Sequence, residues 1–402
     1  MNVNPLFHCL CCNNDILIPY LDLGFQPLAN SYLKGDEHEL TFPLAVQVCP
    51  TCFHSQLTVA VDPDLLYKHY LYVSGTSRTL HAYFKWFVVE VEKRHVKKRL
   101  NVLELASNDG TLLEIFKQQG HVVQGVDPAE NLRDFSLKKN VPTVVGYWNQ
   151  LTAGKINDAY DVIVAMNVLA HISDPVEFLQ LCRKKLTQDG KIYIQTSQCE
   201  MFKHYEFDTI YHEHHSFFTT RSFHALAKRS GLKLLDIEKV PIHGISYLAT
   251  FGHPFVEESE HVDAFLQEEG LDGYYDLRTY DAFGRHVKES SDFIRMSLDS
   301  LRKSGYKAIG YGAAAKGNTF LNYAGLQLDY VIDENSLKWG LFTPGQKIPI
   351  VSPEILKEIQ KPLAVLVLAW NFFDEIHEKV KALRPHAQDV FLQYFPERKL
   401  SD

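Results

Sequence analysis

Residues 100–128 constrain the fold of this chain more than any other stretch. Leu100-Asn-Val-Leu-Glu-Leu-Ala-Ser-Asn-Asp-Gly110 is a short apolar run entering a turn, Thr111 to Gln119 is helix-like, and a second apolar run, Val122 to Val126, ends in Asp127-Pro128. Strand, turn, helix, strand and acid in that order make a βαβ unit, and Glu104 and Asp127 are spaced as such units space a cofactor turn and a ribose-binding acid. The spacing points to a nucleoside. A third apolar run, Tyr160 to Val168, carries Asn167 near its C-terminal end with His171 just beyond, and Lys191 to Gln195 reads as a fourth strand. Ligands of open α/β sheets bind at those ends.

The turn also selects among cofactors. A nicotinamide dinucleotide favours G-x-G-x-x-G, which lets a pyrophosphate lie on the helix N-terminus. Residues 104–110 hold one glycine, Gly110, and open on the acid Glu104. A sulfonium and an amino acid suit that turn better than a diphosphate, so S-adenosylmethionine is the expected cofactor. Asp127, with Pro128 beside it, is expected to accept from the ribose hydroxyls, Ser107, Asn108, Asp109 and Gly110 to pass close to the methionine part, and Asn167 to close the site. An unoccupied strand end of the same fold is the alternative.

The cysteines mark a different module. Of seven, Cys9, Cys11, Cys12, Cys49 and Cys52 lie near the start. Cys9 and Cys12 form one C-x-x-C pair and Cys49 and Cys52 another, and each pair can place two thiolates on one tetrahedral metal. Zinc is the natural occupant, in a structural role because four thiolates leave no open position. A disulfide-linked module and a redox pair are the alternatives, the first without a secretory signal to support it and the second ill served by two separate pairs. Cys11 reads as a bystander.

At 402 residues the chain is long enough for two or three domains. Near Pro254 its character changes, with Glu257, Glu258, Glu260, Glu268 and Glu269 in a stretch read as a linker. Tyr280, Phe283, Val287, Ile294, Leu298 and Leu301 then recur at helical spacing. A second α/β pattern follows: Ala308-Ile-Gly-Tyr-Gly-Ala-Ala-Ala-Lys-Gly317 enters a helix, Tyr330-Val-Ile-Asp333 ends in an acid, and Ala364 to Leu368 is a third strand. Its glycines serve a nucleotide or close packing equally well. With 41 Lys and Arg against 49 Asp and Glu, the formal charge is −8, which draws the whole molecule to no polyanion. Apolar runs such as Pro362 to Trp370 are far too short to cross a bilayer. A soluble, cytoplasmic protein that binds neither nucleic acid nor membrane is the expectation.

The densest local chemistry is Phe207-Asp-Thr-Ile-Tyr-His-Glu-His-His-Ser216, with three histidines, a tyrosine and two carboxylates. It lacks the H-E-x-x-H spacing of a helical metal site. General acid and base work suits it better, because histidine titrates near neutrality and an adjacent Glu or Tyr can fix its tautomer. A satisfied structural network is the alternative.

Taken together, the two C-x-x-C pairs, Pro27-Leu-Ala-Asn30, Tyr72-Val-Ser-Gly-Thr-Ser77, Glu104 to Gly110, Tyr211-His-Glu-His214, Gly310-Tyr-Gly-Ala313 with Lys316-Gly-Asn318, and Pro344-Gly345 resemble the sugar C-methyltransferases of the NDP-hexose 3-C-methyltransferase type. The resemblance spans nearly the whole chain. It implies an α/β protein of three parts: a small N-terminal zinc-binding domain (1–70), a central Rossmann-like S-adenosylmethionine-binding methyltransferase domain (71–253), and an acidic linker, long helix and second Rossmann-like nucleotide-sugar domain (254–402). It also implies methylation at carbon 3 of a dTDP- or GDP-linked 4-keto deoxysugar through an enolate. His214 is then the base, Tyr211 and Glu213 orient it or the enolate, Tyr72 and His171 complete the pocket, and Asn30, Ser77, Lys316 and Asn318 contact the substrate. Lys316 also reads as a surface charge at a helix start. The chain departs from the family at Ala106 (commonly glycine), at Gly244-Ile-Ser246 (Gly-Gly-Ser) and at His215 (more often apolar). An epimerase using the same enolate without methylation, and a non-catalytic zinc-ribbon binding protein, are the competing functions.

Overall fold

A computed structural model describes residues 3–35, 37–67, 78–156, 159–197, 200–242, 244–395 and the backbone of 397–401. Tyr72 and Ser77 lie outside the described residues. The N-terminal module is built from β1 (Val3–Pro5), β2 (Ile18–Pro27), β3 (Thr41–Val48), β4 (Ser55–Leu57) and β5 (Val59–Val61). Its cysteines lie on two turns. Cys9 and Cys52 bring their sulfurs to 3.5 Å, and Cys12 and Cys49 to 3.4 Å.

The central sheet comprises β6 (Asn101–Leu105), β7 (Val122–Asp127), β8 (Thr143–Val145), β9 (Tyr160–Met166), β10 (Leu186–Thr196), β12 (Lys233–Val240) and β13 (Ser246–Gly252), while β11 (Ser216–Phe217) leaves it to join the N-terminal sheet beside β4. Strand order is β12-β13-β10-β9-β6-β7-β8, parallel except for β13, which runs antiparallel to both neighbours. The first turn follows from its residues. Gly110, at φ 76°, caps the helix Thr111–Gln118, whose Leu112, Leu113, Ile115 and Phe116 are buried. A side chain at Gly110 would press on Ser136.

The acidic stretch does not remain a linker. Ser259 caps the helix Glu260–Leu271, and Glu269 is buried, accepting from the Thr220 backbone and hydroxyl and from Tyr247 and Tyr275. Four donors satisfy a carboxylate whose pKa burial pushes up. The helix Leu277–Lys303 follows and buries all six apolar positions named above. Its Gly284 is required by contact: an added Cβ would lie 2.4 Å from the Tyr20 carbonyl oxygen of β2.

The C-terminal sheet comprises β14 (Lys307–Tyr311), β15 (Val331–Ile332), β16 (Ile350–Val351), β17 (Leu363–Val367), β18 (Val390–Tyr394) and β19 (Glu397–Ser401), in the order β16-β15-β14-β17-β18-β19. One apolar core joins Leu21 and Val46 of the N-terminal module to Phe283 and Val287 of the long helix and to Ala308 and Leu366 of this sheet. Cap, long helix and C-terminal unit thus share one packed core. No helix among the described residues is long and apolar enough to cross a membrane.

Candidate active site

At the C-terminal ends of β6, β7, β8 and β9 lies a cavity of about 510 Å³, in the range of pockets for drug-sized ligands, ~300–1,000 Å³. Asn108, Asp127, Pro128, Asn167 and His171 line it. The Asp127 carboxylate is aimed by two backbone donors, Asn108 N–H at 2.7 Å and Ala129 N–H at 2.8 Å. Carboxylate oxygens have four lone-pair sites between them, so two remain for ribose hydroxyls. Leu105, Val126, Met166, Val168 and Trp148 supply apolar walls for a flat base.

Ala106 also lines the cavity, and Glu104, Ser107, Asp109 and Gly110 support this wall without forming it. Glu104 and Ser107 are buried below, and Glu104 Oε2 and Ser107 Oγ have no hydrogen-bond partner. Burial, with Asp109 and Asp127 nearby, holds the Glu104 carboxyl well above the usual carboxylate range. Asp109 accepts from the Thr111 hydroxyl at 2.8 Å and from Lys139 Nζ at 2.7 Å. Ala106 and Asn108 take left-handed conformations, φ 54° and 49°, so Ala106 stands where a glycine would be unstrained.

Several cavity residues escaped the sequence reading. Gly146, Tyr147 and Trp148 follow β8, whose three residues are too short to read as a strand. Leu80 and Phe84 come from the helix Arg78–Lys93, and Asn4, Leu6, Ala60 and Val61 from the N-terminal module. Only the arrangement of modules could reveal those.

The histidine-rich segment lies beside this cavity and is folded into turns rather than extended. Glu206 pairs with Lys316, Asp208 accepts from Trp370 Nε1 at 2.7 Å and the Tyr394 hydroxyl at 2.6 Å, and His212 meets the Phe42 carbonyl at 3.3 Å. The N-terminal and C-terminal modules therefore both hold it. His214 Nδ1 is 2.7 Å from the Thr209 carbonyl, which can only accept, so the proton resides on Nδ1 and Nε2 keeps its lone pair. The Tyr211 hydroxyl reaches that Nε2 at 3.2 Å. Burial, then His171, pushes the His214 pKa well down and keeps the ring neutral. The His171 ring packs edge-on against His214 at 4.9 Å while itself lining the cavity. Glu213 accepts from Asn30 Nδ2 at 2.7 Å, and burial raises its pKa to about 7.

Lys316 and Asn318 are committed differently from a solvent-facing helix start. Lys316 is paired with Glu206 and lies 5.0 Å over the Trp370 ring. Asn318 donates to the Ala29 carbonyl at 2.8 Å, and its Oδ1 is buried without a partner.

The four sulfurs of Cys9, Cys12, Cys49 and Cys52 lie within 4.8 Å of one another. Tetrahedral zinc with bonds of ~2.3 Å needs its thiolates about 3.8 Å apart, so the set fits zinc. Sheet order, the acid after the second strand and the cavity together define a methyltransferase that uses S-adenosylmethionine.

Comparison with known proteins narrows the class. Residues 9–67 match a zinc binding domain, 78–237 a methyltransferase domain and 241–396 the C-methyltransferase C-terminal domain. The chain is 32% identical over 394 residues to the C-methyltransferase NovU of Streptomyces niveus, covering 94% of this chain and 93% of the relative. It belongs to that C-methyltransferase family and is an S-adenosylmethionine-dependent C-methyltransferase. A ubiquinone biosynthesis O-methyltransferase of Coxiella burnetii is 24% identical over 208 residues, 45% of this chain and 88% of its own. Among solved structures, the magnesium protoporphyrin IX methyltransferase of Synechocystis PCC 6803 with bound SAH aligns with 43% of this chain and 83% of its own, at 10% identity and a TM-score of 0.35.

Proposed function

We propose that this enzyme methylates carbon 3 of a dTDP- or GDP-linked 4-keto deoxysugar through an enolate. The observation that carries the reading is a neutral, buried His214 whose Nε2 lone pair is unprotonated and whose ring is one histidine away from the cofactor cavity. A carbon-bound hydrogen becomes removable when an adjacent ketone can hold the charge. His214 Nε2 takes the proton from carbon 3, the carbon–hydrogen electron pair moves into the enolate, and the negative charge collects on the oxygen at carbon 4. The substrate replaces Tyr211 on Nε2, and the freed hydroxyl stabilises the enolate oxygen. S-adenosylmethionine, held by Asp127 and the cavity walls, would supply the methyl group to the enolate carbon, its sulfur–methyl bond breaking to leave S-adenosylhomocysteine. His214 then releases its proton to solvent.

Glu213 and Asn30 orient the sugar, and His171 stands between the base and the cofactor cavity. Asn318, whose buried Oδ1 lacks a partner, Lys316 and Ser77 contact the nucleotide part in this reading. The division into 1–70, 71–253 and 254–402 assigns a zinc-clamped cap, a methyl-donor domain and a nucleotide-sugar clamp.

His214→Ala, given a 4-keto nucleotide sugar in deuterated water, should lose carbon-3 exchange and methylation together by about 100-fold or more. Exchange and methylation at the wild-type rate in that variant would sink the base assignment. Failure of the wild type to exchange any 4-keto nucleotide sugar would sink the substrate class.

A further inference from the structure

His215 has no part in the chemistry above, yet its surroundings are those of a ligand contact. It is 2% exposed, and neither ring nitrogen makes a well-formed hydrogen bond within the protein, the Ile172 backbone only approaching the ring. Its side chain forms part of the cofactor cavity wall, together with His171, Ile172, Ala60 and Val61. The backbone gives it a fixed platform. The His215 carbonyl accepts from Leu57 N–H at 3.0 Å, and the next residues, Ser216 and Phe217, pair with Gln56 and Ser55 as the edge of the N-terminal sheet.

A buried imidazole with two unsatisfied nitrogens forfeits its hydration for nothing in return, so such groups generally mark a missing partner. Burial pushes the His215 pKa down to about 4, with His212 adding to the effect and the Ile172 backbone opposing it. The ring is therefore neutral near pH 7 and offers one donor and one acceptor. S-adenosylmethionine carries both kinds of group, on its adenine, its ribose and its amino acid. We propose that His215 is a positioning residue for the methyl donor, hydrogen-bonding the cofactor from the N-terminal module's side of the cavity while Asp127 holds the ribose from the sheet. A side chain seated on the edge of the zinc-bearing cap's sheet then adds a polar contact to the cap's apolar cover. This inference rests on the cofactor assignment and not on the identity of the sugar.

The test uses the zinc-loaded full chain and S-adenosylhomocysteine, with no sugar present, so its failure is separate from any failure of the substrate reading. In calorimetric titration His215→Leu should weaken binding about tenfold, with zinc content and melting temperature unchanged. His215→Asn or His215→Gln, which keep a donor and an acceptor, should recover part of that loss. In turnover, the leucine variant should raise KM for the methyl donor and leave kcat within twofold. Leucine-variant binding within twofold of the wild type would overturn the proposal. Should that variant fold poorly, the wild type still decides: ring-nitrogen resonances of His215 must shift when S-adenosylhomocysteine is added, and unmoved resonances overturn it.

Discussion

The central and C-terminal sheets repeat one device and put it to opposite ends. In each, a strand enters a turn and a helix, and the next strand ends in an acid that clasps the backbone of that turn. Asp127 accepts from Asn108 at 2.7 Å and Ala129 at 2.8 Å, and Asp333 accepts from Ala313 at 2.7 Å and Asn335 at 2.8 Å. What differs is the neighbouring strand. After β9, Asn167 turns through φ 55° and the chain leaves the strand ends open. After β17, Leu368 and Ala369 fill the corresponding crevice: a Cβ at Gly312 would lie 2.5 Å from Ala369 Cβ, and one at Gly317 2.8 Å from Leu368 Cβ. Lys338 then donates to the Ala313 carbonyl and to Asp333, occupying the acid that a ribose would need. A nucleotide-like turn therefore establishes how strand and helix pack, and the adjacent crossover decides whether anything binds there.

The largest expected effect tests the wall that only the open unit has. Structural zinc contributes on the order of 10 kcal/mol to the folding of small modules. Elemental analysis should find one equivalent per chain. Stripping it with a chelator should then abolish S-adenosylhomocysteine binding, because Asn4, Leu6, Ala60 and Val61 belong to the cavity. Amide exchange should keep its protection in 363–367, strand β17 of the closed unit. Metal-free protein that still bound the ligand would separate cap from cavity and break this account.

Exchanging the paired acids should have a smaller and asymmetric effect. Asp127→Asn should weaken S-adenosylhomocysteine binding by at least tenfold, since charge-assisted hydrogen bonds contribute about 1.5–3 kcal/mol. Asp333→Asn should leave that affinity within twofold and instead lower unfolding free energy by about 1–3 kcal/mol, because Lys338 loses its charged partner. Equal effects on binding would mean that both units take the cofactor.

Smallest is the response of the two turns to one methyl group. Gly312→Ala should destabilise the protein by about 1–3 kcal/mol through overpacking and a strained φ of 95°. Ala106→Gly should do the reverse: left-handed alanine costs about 1–2 kcal/mol, partly offset by ~0.5–1 kcal/mol of extra freedom in the unfolded chain. The net gain is at most about 1.5 kcal/mol, readable in urea unfolding. A clear loss on Ala106→Gly would show that the methyl is held by contacts that outweigh its strain.

Legibility in the sequence followed the range of the interactions. The βαβ unit was readable because its apolar runs and Asp127 lie within thirty residues or so of one another and serve each other's backbone. The four cysteines were readable because a metal tolerates few donor sets. Glu269 was not: composition made it one acid among many, and only Thr220, Tyr247 and Tyr275 turn it into a buried hub. Lys316 likewise read as a phosphate contact or a surface charge, and only Glu206, 110 residues away in sequence, shows that its ammonium is paired within the fold.

By itself the sequence determined the class of cofactor, the metal donors and the cluster from which a base would come, because each depends on residue types at short spacing. Tertiary structure decided which nitrogen of His214 carries the proton, which of two similar turns is open, and that His215 joins the cavity wall beside the cap. Those outcomes depend on which polar atoms meet a partner and which are buried without one, and partners far apart in the chain meet only once the three modules have packed.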